Sequence, residues 1–204
     1  MIIKVCGMRD ADNIRQIERL GTDIMGFIFW PGSPRYVGEQ PEYLPAETAK
    51  AGVFVNAPLE EIQARKNYFR LDYIQLHGQE SPDLCARLQE SGAKVIKAFP
   101  VETAQDLSAC DRYTGCCDFF LFDTRTPQHG GSGKSFPWEI LASYTGETPF
   151  LLSGGIGPGD EEKINRCHHP RRAGIDLNSR FESRPGVKNP EQLKHFIENL
   201  KKMK

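Results

Sequence analysis

The chain has 204 residues, 39% of them hydrophobic and 26% charged, and a formal net charge of −1. No window approaches the roughly 18 consecutive apolar residues that a membrane span needs, and the only basic run is the C-terminal KKMK, which is too little for a nucleic-acid footprint. These numbers predict one soluble globular domain over residues 1–204 with a small-molecule partner, and argue against nucleic acid or membrane as partners.

The opening MIIKVCGMRD breaks into charge and a turn within ten residues and has no small-residue cleavage site, so a cytoplasmic location is expected. In a reducing compartment Cys6, Cys85, Cys110, Cys116, Cys117 and Cys167 should stay as thiols. They show no CxxC spacing, so neither a disulfide framework nor a zinc site is expected from them.

Short apolar runs recur along the chain: IIKVC (2–6), DIMGFIF (23–29), AGVFV (51–55), DYIQLH (72–77), KVIKAF (94–99), DFFLFD (118–123), PFLLS (149–153) and GIDLN (174–178). Helix punctuation separates several of them. DADNIRQIERLG offers Asp10 as N-cap, Ile14, Ile17 and Leu20 on one face, and Gly21 as a stop. SPDLCARLQESG carries Ser81, Pro82 and Gly92 in the corresponding roles, and NPEQLKHFIENLKK repeats the device with Asn189 and Pro190. Strands alternating with helices pair in parallel through right-handed crossovers. Eight strand-helix units of about 25 residues predict an α/β fold, a single (β/α)₈ barrel, small against the ~250 residues usual for it. An open doubly wound sheet is the alternative fold.

In such a barrel chemistry belongs at the C-terminal ends of the strands. Strands buried on both faces should be nearly continuous apolar runs, so Lys4, Cys6, Gln75, His77, Lys97, Asp123, Asp176 and Asn178 need a reason to be there. Cys6 shares a strand face with Lys4, about 6.6 Å away along the strand. A nearby ammonium would favour the thiolate and make Cys6 a base or nucleophile; alternatively Lys4 pairs with Asp176 and Cys6 only fills space. Asp123 follows Phe119, Phe120, Leu121 and Phe122, apolar company that suits a general acid. The alternative is a carboxylate that accepts loop N–H groups.

Three loops invite an anion. GGSGK (130–134) lacks the spacing of a P-loop and fits a mobile lid better, with Arg125 and Lys134 as guides for an anionic substrate or as solvated charges. Gly154 and Gly155 follow the seventh strand and GIDLNSRFES runs through the eighth, where barrels often hold phosphate on backbone N–H groups. Arg35, in the loop after the second strand, is either a carboxylate fork or a solvated charge. CHHP at Cys167–His169 lacks helical ligand spacing, and no metal is expected there.

Taken in order, KVCGMRD, GFIFWPGSPRYV, GVFVN, DYIQLHGQE, LFDT with GGSGKSFPWE, SGGI and GIDLNSRFESRPGVKN resemble the phosphoribosylanthranilate isomerase family from Lys4 to Asn189. The resemblance implies a (β/α)₈ barrel that performs an Amadori rearrangement of an aminoaldose phosphate in tryptophan biosynthesis. It implies Asp123 as general acid, Cys6 as general base, and Arg35 at the anthranilate end. Gly154, Gly155, Asn178 and Ser179 would hold the phosphate, Asp176 would bind ribose hydroxyls or orient the site, and His77 would line the pocket. No cofactor and no metal are implied, and a monomer is expected, with a dimer as the alternative. Two departures stand out: Arg180 where relatives carry small residues and glycine, and Pro137 in SFPWE where an acidic residue is frequent.

Three rivals remain open at this level. The histidine-pathway isomerase uses the same barrel with an aspartate at the Cys6 position and a second phosphate loop, for which GVFVNAP offers no Gly-Gly signal. A non-catalytic phosphate-binding barrel would not need Cys6 and Asp123. A thiol hydrolase would need Cys6 and His77 in contact across three strand positions.

Overall fold

In the computed structural model, which describes residues 1–125 and 135–203, eight parallel strands close into a barrel in chain order. They are β1 (Ile2–Cys6), β2 (Ile24–Ile28), β3 (Ala49–Phe54), β4 (Tyr73–Leu76), β5 (Lys94–Val101), β6 (Phe119–Thr124), β7 (Phe150–Leu152) and β8 (Arg172–Leu177). Each overlaps its predicted run, and β8 returns to β1 with Lys4 opposite Asp176. The closed barrel replaces the open-sheet alternative.

Five α-helices lie among the described residues: α1 (Ala11–Glu18), α2 (Leu59–Phe69), α3 (Pro82–Glu90), α4 (Glu161–Arg166) and α5 (Pro190–Lys202). The three predicted caps form as expected, with Asp10 accepting from Asn13 N–H at 2.9 Å, Ser81 from Leu84 N–H at 3.3 Å and Asn189 from Glu191 and Gln192 N–H. Among the described residues no helix is long and apolar enough to cross a membrane.

The expectation of eight regular strand-helix units needs correcting. A loop without any helix connects β2 to β3, because Pro31, Pro34, Pro41 and Pro45 with Gly32 and Gly38 deny it a continuous backbone ladder. Short 3₁₀ helices, Ala104–Tyr113 and Trp138–Ser143, follow β5 and β6. After β8 comes a 3₁₀ turn, Ser179–Phe181, and an antiparallel hairpin of β9 (Glu182–Arg184) and β10 (Val187–Lys188) before α5 begins.

Two apolar layers follow from strand alternation. The larger lies between barrel and outer elements and takes Ile3, Val5, Phe120, Phe122 and Phe150 with the buried faces of α1 and α5. The smaller fills the barrel axis with Ile96, Ala98, Leu121 and Leu151, joined by Ile2, Tyr73, Phe119 and Ala173. Lys4 and Cys6 therefore share the inner face of Ile2, and Asp123 that of Leu121. A register shift between β7 and β8 changes the alternation near Ala173, which packs on the axis, while Asp176 three residues later also reaches inward to Lys4.

The seam that closes the barrel is tight. A Cβ on Gly174 would lie 2.2 Å from the Ile2 carbonyl oxygen across β8 and β1. Backbone cannot retreat there as a flexible side chain would, so Gly174→Ala should cost about 2–3 kcal/mol. Equilibrium urea unfolding tests this; a loss below about 0.5 kcal/mol, the scale of a surface change, contradicts it.

Candidate active site

Polar side chains that the apolar strands could not explain converge at the C-terminal mouth of the barrel. At the β1–β8 seam the Lys4 ammonium is fully buried and bonds Asp176 Oδ1 at 2.7 Å. Asp176 Oδ2 accepts from Ser153 Oγ at 3.4 Å. Burial alone would lower the Lys4 pKa, but Asp176 and then Cys6 outweigh it and hold it above its ordinary value.

Cys6 lies above this pair, 3% exposed and hydrogen-bonded to Lys4. Gly26 on β2 makes the room: a Cβ there would stand 2.7 Å from Cys6 Sγ. Burial pushes the Cys6 thiol up, Asp176 adds to that, and Lys4 and Lys188 pull it back without reversing it. The expectation that Lys4 keeps Cys6 ionised is corrected accordingly: much of the Lys4 charge is balanced by Asp176, and the resting group is the thiol.

A second network surrounds Gly7, whose φ of +78° turns the chain away from the mouth. Arg35 is 7% exposed and forks onto Glu182, with Nε donating at 2.9 and 3.1 Å and Nη2 at 2.7 Å. Glu182 also accepts from Lys188 Nζ at 2.6 Å, and Lys188 donates to Asn178 Oδ1 at 2.7 Å. Asn13 of α1 grips the Lys188 backbone through two bonds of 2.7 and 2.8 Å. Burial drops the Lys188 pKa to about 8 despite Glu182. Burial opposes ionisation of Glu182 too, but Arg35 and Lys188 carry its pKa below the usual carboxylate value. Glu182 and Lys188 were missed in the sequence because the hairpin that carries them has no strand-end signal; Arg35 is neither solvated nor wholly free for a ligand, since the fork leaves Nη1.

The third group sits across the mouth. Asp123 Oδ1 accepts the Thr124 N–H at 2.9 Å, and Oδ2 faces His77 Nε2 at 3.4 Å. His77 Nδ1 meets Gln75 Nε2 at 3.1 Å. The aromatic company read from DFFLFD is only half real: Phe120 and Phe122 point to the outer layer, and Phe119 and Leu121 share the face of Asp123. His77 thus pairs with Asp123 and Gln75, which leaves the hydrolase reading without its dyad.

Gly154 and Gly155 follow β7 with φ of +89° and +68°. A Cβ on Gly154 would lie 2.3 Å from Thr124 Oγ1, so the loop passes close over the end of β6. Asn178 and Ser179 enter the adjacent turn after β8. Arg180 bridges the two loops: Nη1 donates to the Gly155 carbonyl at 3.0 Å and lies 3.6 Å from Asp160 Oδ2. Only glycine at 157 admits this, because a Cβ would stand 2.5 Å from Arg180 Nε.

Other sequence candidates lie elsewhere. Lys97 faces outward and donates to the Leu76, Gly78 and Ala98 carbonyls and to Glu80. Arg125 pairs with Asp106 and Glu102. His169 uses both ring nitrogens, on Tyr144 O and Arg171 N–H, and Cys167 donates to Trp138 O. The proposed lid GGSGK, with Lys134, lies outside the described residues.

The chain is similar to known proteins over nearly its whole length. The family model described as N-(5'-phosphoribosyl)anthranilate (PRA) isomerase matches residues 3–199. An N-(5'-phosphoribosyl)anthranilate isomerase of Phocaeicola vulgatus is 51% identical over 201 residues, covering 98% of both chains. One from Parabacteroides distasonis is 50% identical over 206 residues, 98% of this chain and 93% of that one. The crystal structure of the Thermus thermophilus phosphoribosyl anthranilate isomerase superposes with a TM-score of 0.86 at 30% identity over the whole of both chains. A phosphoribosyl anthranilate isomerase solved with reduced 1-(o-carboxyphenylamino)-1-deoxyribulose 5-phosphate gives 0.84 at 30% identity, covering 99% of this chain and all of that one.

Glu182 balances two buried cations, so its removal is costly. Glu182→Gln should destabilise the protein by about 3–5 kcal/mol at neutral pH, because Arg35 and Lys188 lose their counter-charge. With a depressed folded pKa, the stabilisation by Glu182 is present above its unfolded value of ~4.3 and is lost as pH falls through the folded value. The gap between wild type and variant in chemical denaturation should therefore narrow in acid; a gap independent of pH counts against the network.

Proposed function

The chain belongs to the N-(5'-phosphoribosyl)anthranilate isomerase family, and on that premise we propose Asp123 as the general acid and Cys6 as the general base of its reaction. The enzyme is an isomerase of tryptophan biosynthesis that converts N-(5-phosphoribosyl)anthranilate into 1-(2-carboxyphenylamino)-1-deoxyribulose 5-phosphate. The observation that carries the assignment is the placement of Cys6 and Asp123 on inward faces at the C-terminal ends of β1 and β6, which leaves the barrel mouth between them for the substrate's ribose.

Asp123 gives its proton to the furanose ring oxygen. The C1′–O bond breaks, and the nitrogen lone pair forms the C1′=N iminium. Thr124 N–H occupies Oδ1, so Oδ2 beside His77 is the oxygen that carries the proton to be donated. His77, with Gln75 behind it, orients that carboxyl. Cys6, as thiolate, then removes the C2′ proton; the C–H electrons form C1′=C2′ and the iminium electrons return to nitrogen. The resulting enolamine becomes the C2′ ketone when C1′ takes up a proton and the 2′-hydroxyl releases its own. Lys4 and Lys188 are the cations that favour the thiolate, and Asp176 holds Lys4 beneath it.

Arg35 Nη1 suits the anthranilate carboxylate, with Glu182 fixing the fork. Gly154, Gly155, Asn178 and Ser179 supply the phosphate cradle, and their positive φ angles at the two glycines support close backbone approach to an anion. All these groups come from one chain, which supports action as a monomer, and the free thiol at Cys6 suits the cytoplasm.

Loss of anthranilate fluorescence follows the reaction. Cys6→Ala and Asp123→Asn should each lower turnover by about 10² or more; a wild-type rate in either reassigns that role. Because burial holds Cys6 as the thiol, kcat/KM should climb with pH toward and beyond the ordinary thiol value of ~8.5, and a plateau already complete at neutral pH refutes the resting-thiol assignment. Arg180→Ala loosens the clamp across the phosphate loops and should raise KM about fivefold, the size of one lost hydrogen bond, with kcat unchanged. An unaltered KM leaves Arg180 out of phosphate binding.

A further inference from the structure

Away from the mouth, the fold assembles three of the six cysteines that sequence spacing had kept apart. Cys85 lies in the first half of α3, and Cys116 and Cys117 form the turn that enters β6. Their three Sγ atoms all lie within 4.8 Å of one another, and no other group of three histidine, cysteine or carboxylate ligands of this kind occurs among the described residues. Cys85 is fully buried and Cys117 is 8% exposed, whereas Cys116 is half-buried, which gives the cluster an entry from solvent.

The frame around the thiols is braced rather than loose. Asp118, next to Cys117, accepts from Gln89 Nε2 on α3 at 3.0 Å and from the Val95 N–H at 2.7 Å. Those bonds fix the turn against the helix that carries Cys85. Gly115 at φ +83° turns the chain so that two consecutive cysteines reach the same helix. Tyr113 closes the neighbouring side, its hydroxyl donating to the Glu80 carbonyl at 2.8 Å and its own carbonyl accepting from Cys116 Sγ at 3.2 Å. Cys85 and Cys117 are also in hydrogen-bond contact.

We propose that Cys85, Cys116 and Cys117 form a binding site for a soft, thiophilic d¹⁰ cation, held by three sulfur ligands on the outer layer of the barrel. Sulfur-only donors select such ions over hard, oxygen-seeking ones. Three thiolates with Zn–S-type bonds of ~2.3 Å need sulfurs somewhat under 4 Å apart, a closure of about 1 Å from the observed outer limit of 4.8 Å. Tetrahedral ions of this class would keep a fourth position for water on the exposed side of Cys116, and binding would release the thiol protons as the M–S bonds form. The site is remote in sequence and role from Cys6.

Titration of the reduced, full-length protein with Cd(II) reads the site directly through the thiolate-to-metal ultraviolet charge-transfer band. The band should saturate at one equivalent, persist in Cys6→Ala, and weaken by at least about tenfold in apparent affinity in Cys116→Ser and in Cys85→Ser. Cys116→Ser sits at a half-buried position and keeps the fold testable if Cys85→Ser does not, and its isomerase rate should equal that of wild type. No band, or a band unchanged in Cys116→Ser, overturns the proposal. So does a band that disappears only with Cys6, or a cluster that gives only a Cys85 disulfide in air and takes up no Cd(II) when reduced.

Discussion

The Lys4–Asp176 ion pair at the β1–β8 seam is the interaction on which the site depends. An ammonium with no exposed surface is tolerable only beside a carboxylate at hydrogen-bond distance, because the desolvation cost of an unpaired charge would be several kcal/mol. That partner is 172 residues away along the chain and becomes a neighbour only when the eighth strand closes on the first. Barrel closure and the environment of Cys6 are therefore one event. In an open sheet with the same strands, Lys4 would lose its counter-charge and Cys6 the cation beneath it.

A second dependence runs outward from this seam. Glu182 receives both Arg35 and Lys188, so a buried guanidinium and an ammonium that lowers the pKa of Cys6 share one carboxylate. The hairpin bearing Glu182 and Lys188 is held in turn by Asn13 of α1. Buried charges in such an arrangement carry a desolvation cost that only their mutual pairing offsets, and their geometry is stiff because every partner has a partner. The mouth of the barrel is thus supported by residues that never need to touch the substrate.

The strands, their order and three helix caps were legible in the chain because each is a local matter: apolar runs of strand length, and Asp10, Ser81 and Asn189 placed to satisfy open N–H groups. The helix-free link after β2 was legible in principle, since four prolines and two glycines rule out a helix, yet the regular spacing of strands hid it. Around Asp123 the linear reading overcounted apolar neighbours, as alternation sends Phe120 and Phe122 to the other face. For Cys6 it weighed Lys4 but not the burial that opposes ionisation, which has no signature in a five-residue strand.

By itself the sequence determined the fold class, the barrel mouth where this fold places chemistry, and Cys6 and Asp123 as the two groups to examine, because strand ends and periodicity are properties of neighbours along the chain. Only the tertiary structure decided the electrostatics of the site: that Asp176 balances Lys4, that Glu182 joins Arg35 to Lys188, that His77 faces Asp123, that Arg180 spans the loops after β7 and β8, and that Cys85 meets Cys116 and Cys117. Charge pairing acts over a few ångströms through space, and in this barrel those ångströms connect residues far apart in the chain.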